Sequence, residues 1–184
     1  EFTDACRIAG LSVGLYYSLM EFTTERYSKG KIKVQKYINN VLIPQLKEIV
    51  INFNPDILWT DGDWHHTMET WHSEKFLDWL FSVNPKIIIN DRWGKDFKSI
   101  RDSKYKKLAY CTGTDRLTDS KESKWEYVGT IGLSWGYDQF QLHSDYKTAS
   151  EIKLLYNKLV TNGCGRFTLN IGPKSDGTLD PYEE

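Results

Sequence analysis

"PDILWTDGDW" (residues 55–64) carries an apolar run into two aspartates, Asp61 and Asp63. Carboxylates at the end of a buried-looking strand are costly unless they are paired or put to use. The run itself predicts a strand over "DILWTD" (56–61). Upstream, "SVGLYYS" (12–18) reads as another strand, and a helical pattern follows through Val34, Tyr37, Ile38, Val41 and Leu42. It resumes at Leu46, Ile49 and Val50 beyond Pro44, which either kinks one helix or opens a second at its first turn. Downstream, Ser73 is placed to cap a helix presenting Phe76, Leu77, Leu80 and Phe81, closed by Asn84-Pro85. "KIIIND" (86–91) is a continuously apolar strand of the kind covered on both faces. After a long polar segment, roughly 92–123, "WEYVGTIG" (125–132) is a weaker strand. Ser150 then caps a helix with Ile152, Leu155, Tyr156, Leu159 and Val160 inward, stopped by Asn162-Gly163, and "RFTLNIGP" (166–173) is the last strand.

Strand and helix in alternation mean βαβ units and a parallel sheet, doubly wound or closed as a barrel. Asp61, Asn90-Asp91-Arg92 and Asn170 all fall at the carboxyl ends of their strands. A parallel β/α barrel builds its active site at that edge. An open doubly wound sheet also binds there, usually behind a glycine-rich first turn. No GxGxxG or GxxxxGK[ST] occurs, so nucleotide binding loses its best support.

The 184 residues carry a formal net charge of -1, which argues against a nucleic acid or membrane surface recognised by charge. No apolar run approaches the roughly 18 residues of a membrane span, and there is no charged-then-apolar leader. "EFTDACRIAG" (1–10) lacks an initiator Met and reads as the inside of a domain, so a fragment is expected. Aromatics reach 14%, with 7 Trp and 11 Tyr; such residues serve cores first and flat sugar faces second. Cys6, Cys111 and Cys164 form no CxxC pair, and neither a zinc knuckle nor a disulfide state follows from them.

Three chemistries compete for the polar residues. Asp61, Asp63, His65 and His66 could offer metal ligands, but the twelfth position counted from Asp61 is His72, not the Glu of a calcium loop, and HExxH is absent. Solvated loop histidines explain them more simply. No GxSxG elbow supports a nucleophilic serine. Paired carboxylates remain, and two acids on one loop cannot flank a glycosidic bond from opposite sides. A retaining glycosidase needs them facing each other about 5–5.5 Å apart. The partner of one Asp should therefore come from another segment: Asp91, Asp102, Asp115, Glu122 or Glu126. Glu126 lies between Trp125 and Tyr127, an apolar setting suited to a general acid; a surface Glu on an edge strand is the plain alternative.

Taken together, "GLYYSLMEF" (14–22), "PDILWTDGDW", "IIINDRWG" (87–94), "KWEYVGTIGLSWGY" (124–137) and "TLNIGPKSDG" (168–177) resemble, in order, the motifs of the alpha-L-fucosidases of retaining glycoside hydrolase family 29. The resemblance covers residues 3 to 182 and is closest to the animal-type members. It implies part of one catalytic domain across 1–184: a partial (β/α)8 TIM-like barrel, with the early strands and their pocket histidines preceding residue 1 and any β-sandwich following residue 184. It further implies that Asp61 is the nucleophile and Glu126 the general acid/base. Tyr16, Trp59, Arg92 and Trp135 would line the fucose pocket. Fucosylated glycans are the implied substrates, a lysosomal or secreted compartment the implied location, and no metal or organic cofactor is called for. Oligomeric state is open, with a homo-oligomer among the options. The rival readings are a truncated, non-catalytic fucose-binding or inactive member, and a retaining barrel glycosidase acting on another sugar.

Overall fold

The computed structural model describes residues 1–21, 31–97, 104–105, 107–112, 115–116, 125–161 and 163–184, and among these described residues five short strands are interspersed with six α-helices. They divide into two units, Glu1–Tyr110 and Cys111–Glu184.

The first unit contains α1 (Phe2–Ile8), β1 (Gly14–Ser18), α2 (Lys31–Tyr37), a π-helical turn (Ile38–Leu42) and α3 (Ile43–Phe53). It continues with β2 (Ile57–Asp61), α4 (Met68–Trp71), α5 (Ser73–Val83) and β3 (Ile88–Ile89). The strands are parallel in the order β1-β2-β3, with Tyr16 opposite Trp59 and Ser18 opposite Asp61. Tyr37, Ile38, Leu42, Leu46, Phe76, Leu77 and Leu80 pack with Leu58, Ile87 and Ile89 into one buried cluster. Leu58 faces these helices, so alternation puts Trp59 and Asp61 on the other side of β2.

Pro44 opens α3 in its first turn, resolving the choice between a kink and a new helix. Lacking an N–H, it cannot bond back to the carbonyl one turn earlier, and a widened turn precedes it. Ser73 does not cap α5: it is the first helical residue, and its hydroxyl donates to the Trp93 carbonyl at 2.5 Å. His72, left-handed at φ 57°, takes the cap position, while Thr67 caps α4 by accepting from Thr70 N–H.

β3 is shorter than the apolar run 86–91, because the side chain of Asn90 takes over from its backbone. Its Oδ1 accepts from Thr60 N at 3.1 Å and its Nδ2 donates to Thr60 O at 2.6 Å, standing in for a peptide group. Ile88 is only half-buried, so this strand is not sealed on both faces.

The second unit contains β4 (Trp125–Thr130), a 3-10 turn (His143–Asp145), α6 (Ala149–Thr161) and β5 (Cys164–Asn170). β4 and β5 are parallel, with an irregularity in register between Trp125 and Glu126. Thr148, not Ser150, caps α6, exchanging hydrogen bonds with Glu151 in a capping box. Leu159 is fully buried against Trp125 and Tyr127, and Leu155 packs beside it. Tyr156 and Val160, expected inward, remain about half-exposed, Tyr156 meeting the Phe167 ring edge-on at 5.5 Å between centroids.

The architecture is α/β, parallel strands with helices. Among the described residues, no helix is long and apolar enough to cross a membrane.

Candidate active site

The parallel register of β1 and β2 brings four of the six expected site residues together in the first unit. Tyr16 and Trp59, opposite one another, stack with ring centroids 5.5 Å apart and planes 22° from parallel. Two residues on, Asp61 ends β2 on the same face as Trp59. Arg92 reaches in from the segment after β3. Its guanidinium lies 4.8 Å from the Trp59 ring centroid and donates from Nη1 to Asp61 Oδ1 at 2.6 Å. The Tyr16 hydroxyl donates to the other oxygen, Oδ2, at 3.0 Å.

The Asp61 carboxylate is thus held by one partner on each oxygen, a geometry that fixes its rotamer. Its side chain and that of Arg92 are 21% and 13% exposed, so the pair is shielded but reachable. Tyr16 is 60% exposed as a whole, but partial desolvation of its hydroxyl, and then the adjoining Asp61 charge, push that hydroxyl up to about 12, keeping it a donor across the physiological range.

Asp63 does not join this constellation. It is buried, and its Oδ2 accepts from the backbone N–H of Gly94 at 3.1 Å. Burial pushes its carboxyl above the usual range despite that bond. His66 packs its ring against Trp71, 5.0 Å between centroids, and burial lowers its pKa. Among the described residues, no three His, Cys, Asp or Glu side chains gather as a metal-ligand set.

Glu126 and Trp135 belong to the second unit. Glu126 is the second residue of β4 and is 4% exposed, its Oε1 accepting from the Thr168 hydroxyl at 2.7 Å. It stands four residues before Thr130, about 13 Å from the carboxyl end of the strand at 3.3 Å per residue. The register irregularity falls beside it, the kind of feature that re-aims a side chain. Trp135 lies after β4, 41% exposed, with the Arg116 guanidinium 5.4 Å from its ring centroid. Its carbonyl accepts from Asn170 Nδ2 at 2.7 Å, tying it to the carboxyl end of β5.

Of the other carboxylates weighed, Asp91 is half-buried and Asp115 exposed, while Asp102 and Glu122 lie outside the described residues. Sequence reasoning missed Arg116, which also donates to the Leu133 carbonyl at 3.0 Å, and Lys147, which donates to the Thr130 carbonyl at 2.6 Å. Both converge on the carboxyl end of β4 from segments that carry no motif.

The sequence matches the family model described as Alpha-L-fucosidase over residues 1–184. It is 37% identical over 190 residues to an alpha-L-fucosidase of Dictyostelium discoideum, covering 97% of this chain and 40% of that one. It is 32% identical over 188 residues to the tissue alpha-L-fucosidase of Homo sapiens, covering 98% and 39%. The crystal structure of the Thermotoga maritima alpha-fucosidase superposes with a TM-score of 0.71 at 27% identity, over 98% of this chain and 41% of that one. The chain spans about two fifths of the length of these curated relatives.

Proposed function

The chain belongs to the alpha-L-fucosidase family, and on that premise we propose that it supplies catalytic machinery for retaining hydrolysis of alpha-L-fucosides from fucosylated glycans. Asp61 is the nucleophile. It attacks the anomeric carbon and forms a fucosyl-enzyme ester while Glu126 protonates the departing oxygen. Glu126, now a base, takes a proton from water as that water attacks the ester, releasing fucose and restoring Asp61. Tyr16, Trp59, Arg92 and Trp135 form the sugar pocket in this reading. The aromatic faces offer apolar contact, and the guanidinium offers charge-assisted hydrogen bonds to sugar hydroxyls.

The observation that carries the proposal is the Asp61 carboxylate. It ends a strand beside a stacked Tyr–Trp pair, with each oxygen held by its own donor. Glu126 enters through its motif; its burial suits an acid/base, and its place early in β4 makes a separate test necessary. The chemistry requires no metal or organic cofactor. We assign both units to one catalytic domain, a segment of a (β/α)8 barrel, and keep the lysosomal or secreted compartment as part of the same proposal.

The test is turnover of an aryl alpha-L-fucoside by the full-length chain and by Asp61→Gly. Loss of turnover in the variant supports the assignment; unchanged turnover removes Asp61 as nucleophile.

A further inference from the structure

Thr60 and Asp63 flank Asp61 in sequence, and both reach the segment that carries Arg92. The Thr60 hydroxyl donates to the Arg92 carbonyl at 2.6 Å. The Asp63 carboxylate accepts from Gly94 N–H at 3.1 Å. The two hooks grip the chain on either side of Trp93, and neither side chain is within the contacts that the Asp61 carboxylate makes with Tyr16 and Arg92.

The hooks are rigid. Thr60 is fully buried, and its hydroxyl also lies 3.0 Å from Asn90 Oδ1. Asp63 is fixed from behind by Trp71, whose buried Nε1 donates to the Asp63 carbonyl at 3.0 Å. The receiving segment is shaped to fit. Gly94 sits at φ 154°, and a Cβ there would lie 2.5 Å from Met68 N. Only glycine lets the backbone come this close and present its N–H to Asp63. Met68 N, in turn, donates to Asp96 Oδ1 at 2.7 Å, a further tie between the same two segments.

We propose that Thr60 and Asp63 are positioning residues, which hold Arg92 on the Asp61 carboxylate by clamping the backbone of residues 92–94 to the end of β2. This rests on the reading of Asp61 as nucleophile. The strand that presents the acid thereby also sets the distance to its cationic partner, so that movement of one carries the other. A segment free to move would carry Arg92 away from Asp61 for part of the time; a clamped backbone removes that freedom before substrate arrives and leaves only the side chain to be held by Asp61 and Trp59.

The test uses the full-length chain with Asp63→Ala, Asp63→Asn, Thr60→Val and Arg92→Ala, and the two double variants that combine Arg92→Ala with Asp63→Ala or Thr60→Val. Asp63→Ala and Thr60→Val should each lower kcat/KM on an aryl alpha-L-fucoside by about 5- to 50-fold, within the roughly 2- to 150-fold range of coupled neighbours. Asp63→Asn, whose amide oxygen still accepts from Gly94, should recover most of the loss. In the Arg92→Ala background the same changes should cost less than about threefold, because what they position is gone. Equal cost in both backgrounds overturns the proposal, since a purely structural role acts whether or not Arg92 is present. Crystal structures of Thr60→Val and Asp63→Ala give the second reading, independent of turnover. The distance from Arg92 Nη1 to Asp61 Oδ1 should lengthen beyond ion-pair range; retention at its present value overturns the clamp. Thr60→Val, close in shape to the original, keeps the test open if Asp63→Ala does not fold. If no protein turns over fucoside, the fucosidase reading fails while the crystallographic distances still judge the clamp.

Discussion

Arg92 Nη1 and Asp61 Oδ1 stand 2.6 Å apart, although 31 residues separate them in sequence. Both side chains are largely withdrawn from water, and the guanidinium also faces the Trp59 ring. Removing one member of a charge pair in this setting costs far more than at the surface, because it strands the other away from water.

Arg92→Ala should therefore lower kcat/KM on an aryl alpha-L-fucoside by roughly 10- to 150-fold, the value of a charged hydrogen bond of about 1.5–3 kcal/mol. Arg92→Lys should recover less than half of that loss on a logarithmic scale. An ammonium is a point charge that cannot reproduce the planar contact with Trp59. Steady-state kinetics on the three proteins reads this directly.

The Tyr16 hydroxyl links stability to pH at the alkaline end. Its pKa rises from 10.0 to about 12 in the folded chain, so the folded state holds this proton more tightly than the unfolded one. Its contribution is complete below pH 10 and is lost as pH rises through 12. The stability difference between the natural protein and Tyr16→Phe should accordingly shrink between pH 10 and 12. Urea unfolding at pH 8 and pH 11 provides the comparison; a gap that widens with pH would contradict the sign.

Gly62 makes the turn between the two aspartates at φ 71°, where a Cβ would stand 2.9 Å from Met20 Cβ and 3.0 Å from Ser18 Oγ. Gly62→Ala should cost about 1–2 kcal/mol from the left-handed backbone alone, before any clash is counted. Chemical denaturation measures the loss.

Glu126→Ala separates the two catalytic roles. A missing general acid matters little when the leaving group departs without a proton and a great deal when it does not. Turnover of a fucoside with a strongly acidic phenol as leaving group should keep its first step, seen as a burst of phenol, whereas an alkyl or sugar leaving group should lose about 10²–10⁴-fold in kcat/KM. Equal loss on both substrates would move the acid/base role to another carboxyl.

Tyr16 and Trp59 enter through the motifs that carry the family resemblance, whereas Asp61 and Arg92 can also be gathered from sequence by the carboxyl-end rule, which is local. That rule needs only the strand boundaries, and those fall within a few residues of expectation at β1, β2 and β5. The hooks at Thr60 and Asp63 cannot be gathered this way, since their partners are backbone groups about thirty residues distant. The same limit explains Ser73: its hydroxyl is claimed by the Trp93 carbonyl, a competitor no local cap rule contains. Asn90 shortens its own strand through the amide bonds it makes with Thr60. Arg116 and Lys147 stand in segments whose composition says only that they are polar.

The π-helical turn before α3 has a bearing on the whole first unit. Val34, Ile38, Leu42, Leu46 and Val50 are all buried, a strict spacing of four. An α-helix turns every 3.6 residues, so such a stripe slips about 40° per step and would wind roughly 160° around the cylinder over this length. The wide turn takes up one surplus residue, about 100° of that slip, and resets the phase midway. Deleting a single residue from 38–42 would restore a regular helix and leave Val34 and Tyr37 facing the core, whereas forcing all the residues into α-helical turns would swing them out of it; the irregular turn is what keeps two ordinary helices in step.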